Sequence, residues 1–173
     1  MHKLTRIMRK LTLILFLVPS LLFAQTSLEM NVLKALNEYR KSKSLTILPY
    51  DSIASAASRH HSNWACKANK GGHIENVDVT NFLELPEMED RNRFYKVNMF
   101  CEIVTGVSTE KFVGVFSEEE IAKQAILSFA GSPAGHDAAM RMEIREGDLV
   151  KVAIGVARCN GGIAYVTINF TEP

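Results

Sequence analysis

Val150-Lys151-Val152-Ala153-Ile154-Gly155-Val156-Ala157-Arg158-Cys159-Asn160-Gly161-Gly162-Ile163-Ala164-Tyr165-Val166-Thr167-Ile168-Asn169-Phe170 is the most readable stretch of the chain. Val150, Val152, Ile154 and Val156 alternate with other residues, and Ala164, Val166, Ile168 and Phe170 do so again. Successive side chains of a strand point to opposite faces, so each run lays its apolar set on one face. Asn160-Gly161-Gly162 lies between the runs, and such residues accept the backbone of a tight hairpin turn. The stretch predicts a β-hairpin.

Helical signals precede it. From Leu28 to Lys41 the apolar residues Leu28, Val32, Leu33, Leu36 and Tyr39 recur at three- and four-residue steps, with Ser27 as a candidate cap. The polar set Glu29, Asn31, Lys34, Asn37, Glu38 and Lys41 falls mostly on the other side. A second helix is expected from a cap at Asp51 or Ser52 to about Asn69, stopped by Gly71 and Gly72. Its core face would hold Ile53, Ala56, Ala57, His60 and Trp64. Ser117 followed by three glutamates opens another helix, to about Phe129, because acids suit the positive end of the helix dipole. Phe94 to Val107 is rich in Tyr, Val, Phe and Ile and suggests strand. Ile74 to Tyr95 reads as a long loop with at most one short helix, its acids Glu84, Glu87, Glu89 and Asp90 forming a solvated face. Helices first and a hairpin last point to an α+β fold, a sheet covered by helices.

The first 24 residues stand apart. A basic start (Lys3, Arg6, Arg9, Lys10), an apolar run from Leu11 to Phe23 and Ala24 at the boundary describe a secretory signal peptide. The apolar run is short for a membrane span. Residues 25–173 would then be one domain, exported or periplasmic, with no stable membrane anchor once the leader is cleaved. Four of the 20 Lys and Arg lie in the leader, leaving 16 against 19 acids, a net charge of −3. That balance argues against a nucleic-acid partner, which needs a basic patch. Cys66, Cys101 and Cys159 allow one bridge plus a free thiol, or no bridge, and their spacing does not choose a pair.

Glu102 sits in the apolar stretch Met99-Phe100-Cys101-Glu102-Ile103-Val104. A carboxylate among apolar neighbours needs a partner or it protonates, and histidines would serve. His73 follows the double glycine, and His136 lies in Ser132-Pro133-Ala134-Gly135-His136. His60 and His61, adjacent on the second helix, are expected to serve structure, one facing the core and one the solvent.

The order of these motifs resembles the CAP superfamily: cysteine-rich secretory proteins, antigen five and plant pathogenesis-related proteins, and among them the short bacterial secreted members. Asn37-Glu38-Tyr39-Arg40 is similar to the family's Asn-x-x-Arg helix. Ala56-Ala57-Ser58-Arg59-His60 with Trp64-Ala65 resembles its second helix, and His73 falls where a histidine follows that helix. Glu102 with Gly106 resembles the Gly-Glu-Asn segment, Ser132-Pro133 with Gly135-His136 the bacterial Ser-Pro-Gly-His motif, and the hairpin the closing strands. Cys101 and Ile103 replace the residues that flank the glutamate, Phe129 stands where tryptophan is usual, and Ala134 is an insertion. Eukaryotic members carry a second cavity glutamate, near whose position Ser132 falls here.

The resemblance implies an α-β-α sandwich with a central antiparallel sheet, and a cavity site of His73, Glu102 and His136 with Ser132 beside it. Two imidazoles and a carboxylate make an open zinc-type site, or else a buried polar network that fixes loops without metal. The resemblance further implies a non-catalytic extracellular module binding a lipid-like apolar ligand or a partner protein. The alternative is a metal-dependent hydrolase of peptidase type, using metal-bound water. A cysteine-dependent enzyme built on Cys101 lacks any supporting signature.

Overall fold

The computed structural model describes residues 27–132, 135–145 and 147–173; the leader expected over residues 1–24 lies outside them. Among the described residues, five helices and three strands follow in the order α1 (27–42), α2 (Ser55–Ala68), α3 (Met88–Tyr95), β1 (Met99–Ser108), α4 (Glu118–Ala130), α5 (His136–Met140), β2 (Lys151–Cys159) and β3 (Ile163–Thr171). The strands form one antiparallel sheet in the order β1-β3-β2. No helix of the described residues is long and apolar enough to cross a membrane.

The predicted hairpin forms β2 and β3, with Gly161 and Gly162 at positive φ in its turn. Both faces of β3 are buried, and they differ in chemistry. Val152, Ile154 and Val156 of β2 join Ala164, Val166, Ile168 and Phe170 of β3 on the apolar face. Leu28, Val32 and Leu36 of α1, Ile121, Ala125 and Phe129 of α4 and Met140 of α5 cover that face. The opposite face carries the small residues Ala153, Gly155 and Ala157 with Thr167 and Asn169, all buried. Helix α2 lies against it through serines. Ser55 Oγ accepts from the Ile154 amide at 3.0 Å, Ser62 Oγ lies 2.9 Å from the Gly155 carbonyl and 2.8 Å from Thr167, and Asn169 donates to Ser58 at 2.9 Å. Helices on both faces make the α-β-α sandwich that was expected.

Helix α2 starts where Asp51 accepts from the amides of Ile53 and Ala54, and it ends at left-handed Asn69, two residues before the expected glycines. Its buried face is Ser55, Ala57, Ser58, His60, His61, Ser62, Trp64 and Ala65, whereas Ile53 is exposed. Ala57, His60 and Trp64 of the expected face are buried, and the apolar pattern missed the serines because the contact surface is largely serine and alanine. Glu29, expected on the solvent side of α1, is fully buried; it accepts from Tyr50 at 2.9 Å and from Arg59 at 2.7 Å. The Asn-x-x-Arg pair of α1 clamps the next loop. Asn37 exchanges two hydrogen bonds with the Leu48 backbone, and buried Arg40 donates to the carbonyls of Thr46, Met140 and Met142.

Phe94 and Tyr95 lie in α3, not in a strand. The Glu87 amide donates to Asp90 at 3.3 Å and opens that helix, and Lys96 in the left-handed region closes it. The strand therefore begins at Met99, with a register shift between Met99 and Cys101. That shift places Glu102 opposite Asn169, on the α2 side of the sheet, and Cys101 opposite Phe170. Cys66 and Cys159 form a disulfide that ties the end of α2 to the end of β2, leaving Cys101 free.

Candidate functional site

Glu102 is the centre of the site, on β1, an edge strand of the sheet onto which α3 packs. Its side chain is only 4% exposed, and Arg91, His73 and His61 gather round it. Arg91 Nη2 donates to both carboxylate oxygens, at 3.0 and 2.9 Å. His73 Nδ1 lies 3.4 Å from Oε1, and His61 Nε2 lies 3.8 Å from the same oxygen. Burial pulls the Glu102 pKa upward, but the His73 hydrogen bond and the His61 and Arg91 charges outweigh it and hold the group below its ordinary value.

A second carboxylate lies behind the first. Glu75, with a fully buried side chain, accepts from Arg91 Nη1 at 3.3 Å and from the Leu85 amide at 3.3 Å, and His61 Nδ1 faces it at 3.0 Å. Burial opposes its charge, yet hydrogen bonds from His60 and His61 with the charges of His60 and Arg91 bring its pKa down to about 2. His61 Nε2 faces the Gly72 carbonyl at 2.7 Å. Each His61 nitrogen thus faces an oxygen acceptor, one a carboxylate and one a backbone carbonyl. His60 takes the Tyr95 hydroxyl on Nδ1 at 3.2 Å and turns Nε2 to Glu75 at 3.4 Å.

These contacts pin residues 70–98 over α2 and β1. Arg91 also donates to the Leu85 carbonyl at 3.1 Å, and Trp64 donates to the Val77 carbonyl at 3.2 Å. The long segment that reads as a loop is thus anchored by buried charge.

Of the sequence-derived site, His73 and Glu102 meet directly, and the His136 ring stands edge-on to His73 with centroids 5.8 Å apart. His136 also packs edge-on against Phe129 at 5.5 Å. His73 is half exposed, and the Glu102 hydrogen bond raises its pKa; burial and then the neighbouring His73 lower that of His136. Ser132 closes the end of α4, its amide donating to the Phe129 carbonyl at 3.2 Å, while Pro133 and Ala134 lie outside the described residues.

Both His60 and His61 are buried, against the expectation that one faces solvent. The helix turns its His61 edge to the 70–98 segment and its His60 edge to Phe82 and Tyr95, so neither remains free. Arg91 and Glu75 escaped the sequence reading altogether. Arg91 lies in Glu89-Asp90-Arg91-Asn92-Arg93, which reads as surface. The usable signal was Glu102 itself: a carboxylate in an apolar strand demands a cation, and arginine is the side chain best suited to a buried pair.

As a metal centre the trio fits poorly. Both Glu102 oxygens are held by Arg91, and no group of three or more His, Cys, Asp or Glu among the described residues is arranged to hold an ion.

Residues 33–170 match the model of the cysteine-rich secretory protein family, CAP. The chain belongs to this family. Among solved structures, an extracellular protein from Bacillus anthracis strain Ames that contains an SCP domain has the same fold, with a TM-score of 0.57 at 16% identity. That match covers 86% of this CAP chain but 41% of the Bacillus chain. An outer surface protein from Borrelia burgdorferi gives a TM-score of 0.55 at 13% identity, covering 81% of this chain and 88% of that one. No curated protein sequence matches this CAP domain.

Proposed function

We propose that the chain is an extracellular, non-catalytic binding module for an apolar ligand. The observation that carries this reading is the Arg91–Glu102 pair. A hydrolase built on this site would use Glu102 as base or metal ligand, and a carboxylate held on both oxygens by a buried guanidinium is unsuited to either role. Support for an apolar ligand comes from a cleft of about 430 Å³ lined by Ile47, Leu48, Pro49, Ile144, Leu149 and Val150. Ile47 and Leu149 are more than half exposed there, as side chains awaiting cover would be. The extracellular placement accords with the leader-like start and with the two solved relatives, an extracellular protein and an outer surface protein.

Titration with a fluorescent fatty acid is the test. Saturable binding that weakens about tenfold in Leu149→Glu is the expected result. Absence of saturable binding, or turnover of an ester or peptide that disappears in Glu102→Gln, would favour the hydrolase.

A further inference from the structure

We infer that Arg91 is a built-in cation, occupying the electrostatic role that a divalent metal would take beside His73, Glu102 and His136. Four buried groups close a ring: Glu75 meets His61 at 3.0 Å, His61 meets Glu102 at 3.8 Å, Glu102 meets Arg91 at 2.9 Å and Arg91 meets Glu75 at 3.3 Å. Both carboxylates already face the one guanidinium, with the His61 imidazole lying between them on the other side. None of the four side chains is more than 4% exposed. A metal ion on Glu102 would stand beside the guanidinium, where little water screens the repulsion.

The guanidinium also does what an ion could not. Nη1 reaches the Leu85 carbonyl and Nη2 the His73 carbonyl, at 3.1 and 3.4 Å, so the cation belongs to the segment it anchors. Selection against metal follows from the residue at position 91 rather than from the imidazoles. Neutralising Arg91 leaves Glu102 with free lone pairs next to His73, the donor set of an open zinc site.

The binding reading concerns the apolar cleft at Ile47 and Leu149, and the built-in cation is tested with a different probe, zinc alone, so either can fail separately. The untagged chain is titrated calorimetrically while the His73 and His136 ring signals are followed by NMR. Wild type should show no saturation and no ring shifts at about 100 µM zinc. Arg91→Gln should bind at least about tenfold more tightly and lose that gain when His73→Ala is added. If Arg91→Gln fails to fold, Glu75→Gln is added to remove the stranded carboxylate, and the same gain is expected. Micromolar zinc binding by wild type that shifts both rings and is lost in Glu102→Gln overturns the inference. So does a folded Arg91→Gln or double variant with no gain.

Discussion

Gly155 of β2 lies directly against Ser58 of α2: a β-carbon at position 155 would stand 2.1 Å from the Ser58 carbonyl carbon and 2.2 Å from the Arg59 nitrogen. Both obstacles are backbone, so neither can swing away. Gly155→Ala must push the helix off the sheet, breaking the serine contacts that depend on that approach. We expect a loss of about 3 kcal/mol or more, at the upper end of overpacking penalties, read as a lower urea midpoint with an unchanged slope.

Glu75 predicts how stability responds to acid. Its carboxyl is displaced from 4.5 to about 2 in the folded chain. Between those values the unfolded chain binds a proton that the folded chain refuses. The contribution of Glu75 is therefore complete above the unfolded value and is lost as pH falls toward about 2. Glu75→Gln should destabilise by about 3 kcal/mol at neutral pH, since it strands part of Arg91 and His61. Urea midpoints measured from about pH 6 down to about pH 3 should fall less steeply in the variant. Parallel curves would show that another group sets the acid response.

The disulfide joins residues 93 apart in sequence, so it restricts the unfolded chain strongly. Cys66→Ser should cost about 2 to 4 kcal/mol. In the unreduced wild type a thiol reagent should find one group, Cys101. Burial, followed by the Glu102 charge, pushes that thiol pKa up, so labelling should be slow in the folded chain and fast in urea.

Ser117 caps α4: its Oγ accepts from the Glu120 amide at 3.3 Å while the Ser117 amide donates to the Glu120 carboxylate at 2.8 Å. Ser117→Ala should cost about 1 kcal/mol, measured by thermal melting, with little change in the far-ultraviolet spectrum.

That cap and the closing hairpin were legible because their signals are local: a serine three residues before a glutamate, and two alternating runs around Asn-Gly-Gly. Helix α2 was legible in extent and in part of its buried face, Ala57, His60 and Trp64. The rest of that face includes Ser55, Ser58 and Ser62, polar residues whose partners on β2 and β3 lie about a hundred positions away in sequence. His73 and Glu102 came from the order of family motifs and do meet. Arg91 could not be placed from its neighbours, because an arginine in an acidic run looks the same whether it points to water or to a buried carboxylate. What decides the matter is α3, which the sequence hinted at only as a short helix in a loop, and the exchange between Asn92 and Met99 that docks α3 onto β1.

Strand β3 lies between β1 and β2, yet follows both in sequence. Until residues 163–171 have been made, β1 and β2 have no common partner, Ser58 and Ser62 of α2 lack Asn169 and Thr167, and the apolar helices have only part of a surface to cover. The domain therefore has no native-like intermediate during synthesis that includes its sheet. A chain emerging in order keeps its sheet open until the closing strand arrives, with the apolar faces of the helices uncovered in the meantime.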